Sequence, residues 1–97
     1  MRVAVTQFAT TLNTQENLAT CIRMINSAGL CNPSVIVLPE YCNTLPCYSD
    51  HNHAWQQALE IDGDFMRKMA ELAAEHRCYV AFNVTMRRSS HREHKDA

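Results

Sequence analysis

The sequence predicts an α/β fold in which short buried parallel strands alternate with amphipathic helices. Three observations carry this. Val35-Ile36-Val37-Leu38 is a continuous apolar run that stops at Pro39, the mark of a strand buried on both faces. Leu18, Cys21, Ile22, Ile25 and Ala28 fall on one face at helical spacing, between that run and an earlier Val-rich one. Phe65, Met69, Leu72, Ala73 and His76 repeat the helical pattern ahead of a third apolar segment.

Taken in order, Arg2 to Phe8 reads as the first strand. Asn13 is an N-cap, and Glu16 three residues later completes a capping-box pattern. The helix over Thr14–Ala28 ends at Gly29, a natural residue just past a helix, and Asn32-Pro33 closes the connection. Strand Val35–Leu38 comes next, so the βαβ unit requires parallel pairing with a right-handed crossover. Asn43 to His53 is rich in turn formers and reads as a loop. Ala54 to Leu59 suits a helical turn carrying Trp55, and Asp62-Gly63-Asp64 is a turn and cap signal. A helix over Asp64–His76 and a strand over Cys78–Thr85 complete the pattern. His76 reads as a partly buried or C-terminal capping residue. Residues 1–86 form the domain, and residues 87–97 read as a polar tail or the start of an exposed hairpin.

The chain has 97 residues and a net charge of −1. That length suits one thin-cored domain, and the charge balance excludes a nucleic-acid footprint. No apolar run approaches the roughly 18 residues of a membrane span. The start has no secretory pattern, because polar Thr6 and Gln7 come directly after Val3-Ala4-Val5. Five cysteines, Cys21, Cys31, Cys42, Cys47 and Cys78, favour free thiols in a reducing cytoplasm. Cys21 and Cys78 read as small core hydrophobes. With only Gly29 and Gly63, no phosphate-cradling loop can be written. No cofactor is expected.

Glu40 is the candidate site residue. It stands just past the carboxyl end of a central strand, where open α/β sheets bind ligands. A carboxylate at the edge of an apolar layer suits a general base. Position alone equally allows a Glu that solvates a strand end. Cys42 lies two residues on and, in an extended segment, shares a face with Glu40. It reads as a pocket-wall residue. Tyr41 either lines a substrate mouth or packs against the following loop. A competing reading is a zinc-binding loop built from Cys42, Cys47, His51 and His53, but the spacing is not a standard one. A non-catalytic α/β module that binds a ligand or partner shares the same fold class.

The order of elements resembles the nitrilase superfamily, the carbon–nitrogen hydrolases. The likeness rests on Val3-Ala4-Val5-Thr6-Gln7-Phe8, Asn17, Val35-Ile36-Val37-Leu38-Pro39-Glu40, Asp62-Gly63, and Leu72-Ala73 before Tyr79-Val80. It reaches to Thr85. The resemblance implies an α-β-β-α sandwich of which this chain supplies the βαβ-type N-terminal part. It implies hydrolysis of an amide, nitrile or carbamoyl compound by a Glu, a Lys and a Cys, and copies that pair as homo-oligomers. Only the Glu is matched, at Glu40. Lys68 and Lys95 do not sit in the family's lysine motif, and the Lys and Cys motifs come later than residue 97. The chain is expected to be the N-terminal portion of a longer hydrolase, inactive alone, with no metal, membrane or nucleic-acid partner.

Overall fold

The computed structural model describes residues 1–44, 49–60 and 63–86. The elements are β1 (Val3–Val5), α1 (Thr14–Gly29), β2 (Val35–Val37), α2 (His51–Gln57), α3 (Asp64–His76) and β3 (Tyr79–Ala81). Residues 87–97, expected to form a polar tail or hairpin start, and the turn residue Asp62 lie outside the described residues.

The three strands form one parallel sheet in the order β1-β2-β3. The βαβ reading therefore holds, with β2 in the middle. The register sets Ala4, Ile36 and Val80 side by side across the sheet. All three face the helices. Ile36 is 0% exposed, and Ala4 and Val80 pack against the same core. Full burial of a side chain this size contributes about 1.5–3 kcal/mol. The inward alternation continues past the paired residues through Cys78, Val80, Phe82 and Val84.

The paired strands are shorter than the apolar runs. Beyond β1, Thr6 still donates its N–H to Val37 O at 2.9 Å, and its hydroxyl donates to the same oxygen. Beyond β2, Leu38 N–H donates to Ala81 O at 2.9 Å. Pro39 has no N–H to continue the ladder.

Helices α1 and α3 pack on each other and on one face of the sheet. Cys21 and Ile25 of α1 meet Phe65, Met69 and Leu72 of α3 in the core. The Phe65 and Phe82 rings lie 6.2 Å apart in a tilted arrangement that seats α3 on the chain after β3. The other sheet face carries Val3, Val5, Val35, Val37 and Tyr79. Val5 is 68% and Tyr79 79% exposed. The two long helices cover one face only: half the sheet is sheltered and half is bare.

Both caps of α1 differ from the sequence reading. Asn13 Oδ1 accepts from Glu16 N–H at 3.0 Å, as a capping box requires. The return bond comes from elsewhere, because Asn13 N–H donates to the Thr11 hydroxyl. Gly29 is the last helical residue and does not lie beyond the helix. The left-handed position is Asn32, at φ 52°. Gly29 answers a different need. A Cβ there would collide with the His76 ring. His76 sits in the last turn of α3 and donates from Nε2 to Asn26 Oδ1 at 2.9 Å. A bare backbone at Gly29 lets this ring lie close against α1. The capping view of His76 holds in position, and its side chain bridges the two helices.

This packing can be tested at two points. Gly29→Ala should lower stability by about 1–3 kcal/mol through overpacking, although helix propensity alone would raise it by about 1 kcal/mol. Thermal melts of Gly29→Ala and of Gly29→Ala/His76→Ala check this; the double variant should recover most of the loss. Second, the bare face should make the 97-residue chain self-associate, with the outer sheet edges adding to the tendency. Size-exclusion chromatography should show oligomers that Val5→Lys/Tyr79→Lys disperses, and a monodisperse unsubstituted monomer would contradict the expectation.

Candidate functional site

The carboxyl ends of the three parallel strands come together with the loops that leave them, and Glu40 sits among these loops. It lies three residues beyond Val37, in a turn that starts after Pro39. Its side chain is exposed. The described residues build no sheltered cleft around it.

The segment after Glu40 is not extended. Tyr41 adopts a left-handed backbone at φ 50°, which costs a non-glycine residue about 1–2 kcal/mol. The reversal separates Glu40 from Cys42. Glu40 faces outward, whereas Cys42 is fully buried in the core. The pocket-wall role for Cys42 is therefore corrected: the shared face required an extended chain, and the turn at Tyr41 removes it. Tyr41 itself is 41% exposed and stands beside Glu40 in the chain.

Asparagines hold this turn from two sides. Asn83, just beyond β3, accepts Tyr41 N–H on its Oδ1 at 3.3 Å and Cys42 N–H on its carbonyl at 3.2 Å. Asn17, on α1 and 2% exposed, donates from Nδ2 to Asn43 O at 2.9 Å and to Thr11 O at 2.8 Å. Its Oδ1 accepts Thr11 N–H at 2.9 Å. Asn43 Oδ1 accepts Thr85 N–H at 3.2 Å. Each such bond is worth about 0.5–1.5 kcal/mol net, enough together to offset the strain at Tyr41. Asn17 was visible in the sequence only through the family resemblance. Asn43 carried one signal, its place shortly after a strand end; Asn83 carried none, because the expected strand ran on to Thr85.

Beneath the turn, Cys21 and Cys42 form a buried thiol pair, and Cys21 Sγ lies 3.7 Å from Cys42 O. The hydrogen bond to Cys42, burial and the like charge of a Cys42 thiolate all push the Cys21 thiol well above its ordinary value. The same bond lowers Cys42, against the opposing effect of burial. Cys21 therefore stays a protonated core thiol. Cys31 is exposed and Cys78 half-buried, and the described cysteines are free, as expected. Thr44, also buried, has no partner for its hydroxyl among the described residues.

The zinc reading loses its geometry. His51 and His53 lie on helix α2, which Asp50 caps by accepting His53 N–H at 2.8 Å, and not on an extended loop. His53 Nδ1 accepts Ser49 N–H at 3.0 Å. Cys42 is committed to the core, and Cys47 lies outside the described residues. Among the described residues no group of three ligating side chains converges. Helix α2 also starts earlier than the turn expected at Ala54.

Lys68 sits on α3, 3.5 Å from Glu71, and Lys95 lies outside the described residues. Described residues line at least two cavities. One of about 640 Å³ opens at the amino ends of the strands beside Ser34, Cys78 and Tyr79. The other, about 270 Å³, lies between the starts of α1 and α3, beside Leu18 and Phe65. Neither includes Glu40. Among the described residues, no helix is long and apolar enough to cross a membrane.

A three-stranded parallel sheet with two helices packed on one face, and a carboxylate beyond its central strand, defines a small α/β protein. The sequence profile of the family described as "Carbon-nitrogen hydrolase" matches residues 2–96. The chain belongs to that family, which bears out the resemblance. No curated protein matches it.

The thiol pair yields a pH prediction. A thiol whose folded pKa is raised keeps its proton where the unfolded chain has lost it. Its contribution is intact below the ordinary thiol value of 9.0 and declines as pH rises beyond it. Denaturant unfolding from about pH 9 to 10.5, above the unperturbed thiol range, should show falling stability. Cys21→Ala should flatten that fall.

Proposed function

We propose that this chain supplies the general-base part of a carbon–nitrogen hydrolase acting on a small amide, nitrile or carbamoyl compound. The observation that carries the reading is the place of Glu40, immediately beyond the central parallel strand of a chain in this family. In the complete hydrolase Glu40 takes the proton of a cysteine thiol contributed by a later part of the protein. The thiolate attacks the substrate carbon, and a lysine stabilises the charge of the tetrahedral intermediate. Ammonia or an amine leaves. Water, activated by the same carboxylate, then cleaves the carbon–sulfur bond and restores the thiol.

On this reading the bare face of β1, β2 and β3 meets the second sheet of an α-β-β-α sandwich. That would bury Val3, Val5 and Tyr79, and it would close a cleft over Glu40 that the described residues leave open. Copies associate as homo-oligomers. Tyr41, partly exposed beside Glu40, lines the mouth of that cleft. The reaction needs no metal or organic cofactor.

Glu40→Gln tests the reading. It keeps the shape and removes the base, so hydrolysis by the complete enzyme should fall by at least about 100-fold. Ammonia release over a panel of amides, nitriles and carbamoyl compounds measures it. Activity within a few-fold of the unsubstituted enzyme would remove Glu40 from the mechanism.

A further inference from the structure

We infer that Asn17 and Asn83 are positioning residues that clamp the Tyr41–Asn43 turn from opposite sides and so fix where Glu40 stands. The inference rests on Glu40 acting as the base.

Glu40 is exposed and comes after a proline, so little packing restrains it. The residues beyond it are held firmly. Tyr41 sits in a left-handed conformation that a Tyr does not choose unaided. Backbone in such a region persists when its surroundings over-determine it. Here the surroundings are two asparagines from different parts of the fold. Asn83 lies on the outer side of the turn and is exposed itself; its side chain takes the Tyr41 N–H, and its backbone carbonyl takes the Cys42 N–H. Asn17 lies on the inner side, is buried, and reaches the next carbonyl, Asn43 O.

Asn17 suits this task by its chemistry. Its amide presents a donor pair and an acceptor on one rigid plane. The donors go to two separate loops, Thr11 O after β1 and Asn43 O after β2, and the acceptor takes Thr11 N–H. An aspartate would keep the acceptor and lose both donors, and it would set a carboxylate against two carbonyls. The clamp therefore joins the loop after β1, the loop after β2 and the chain after β3. A base displaced by about 1 Å can lose about 10²-fold in rate, so a carboxylate on a turn needs such a frame.

The experiment compares Asn17→Asp and Asn83→Ala with the unsubstituted chain by backbone amide exchange. In Asn83→Ala the Tyr41 N–H loses its side-chain acceptor, and the clamp predicts its exchange faster by about 10-fold, the loss of roughly one hydrogen bond. Asn17→Asp, which unties Asn43 O, should loosen the same turn and speed Tyr41 by a similar factor. Thr6 and Tyr79, whose N–H groups bond to Val37 O and Ser34 O within the sheet, should change by less than about twofold. Uniform acceleration at all three amides would mark both residues as merely structural and overturn the clamp. Should Asn17→Asp fail to fold, Asn83→Ala decides alone, since Asn83 is exposed.

The second arm uses the complete hydrolase. Both variants should lower kcat by at least about 10-fold with KM within about twofold, the pattern of lost alignment and not of lost binding. Glu40→Gln is measured beside them. Retained activity in Glu40→Gln overturns the base reading and the clamp with it. Inactive Glu40→Gln beside fully active clamp variants overturns the clamp alone.

Discussion

Everything in this chain hangs on the burial of Ile36. It is the centre of the middle strand, and its neighbours in register, Ala4 and Val80, complete one apolar row beneath α1 and α3. Because β2 has a strand on either side, its backbone groups are satisfied in both directions, which a buried strand requires. The helices cannot move off this row without uncovering Cys21, Ile25, Met69 and Leu72 together. The shared strand direction decides the rest. All three strands deliver their carboxyl ends to the same edge, and with them Thr11, Glu40 and Asn83.

That edge is held by a different kind of force from the core. The core is non-directional and tolerates small shifts of side chains. The loops are joined by amides whose partners are set by geometry: Asn17 to Thr11 and Asn43, Asn43 to Thr85, Asn83 to Tyr41. Polar ties of this sort are worth little in net stability but specify one arrangement. The division suits the proposed role of Glu40, which depends on where its carboxylate points. Apolar burial gives the sheet, and buried amides give its edge a shape.

The parts of the fold that depend on periodicity were legible in the sequence. Helix α3 runs over the predicted residues Asp64–His76, and α1 extends one residue past its predicted end. Parallel pairing was implied by the intervening helix. Parts that depend on contacts between distant residues were not legible. Gly29 looked like a helix terminator because glycine so often is one, yet its reason is the His76 ring on another helix. The proline after Leu38 marked the strand end correctly. Nothing local announced that Tyr41 would turn left-handed, and so Cys42 was placed on the wrong side of the backbone. Glu40 was singled out from its place after the strand. The asparagines that hold its turn come from α1, the loop after β2 and the chain after β3, and no window of sequence contains them together.

The parallel arrangement has a kinetic side. Val3 pairs with Val35 and Val35 with Tyr79, and each pairing must span a complete helix before a single ladder bond forms. No hairpin joins these strands to start the sheet. The entropy of closing those long loops is lost before any strand contact repays it, which makes such topologies slow to form. Helix α1, with its local cap at Asn13, can form first and bring β1 within reach of β2. β3 can join only after α3 is in place. A chain emerging from the ribosome presents these elements in that order, so synthesis itself supplies a sequence of events that refolding from denaturant does not.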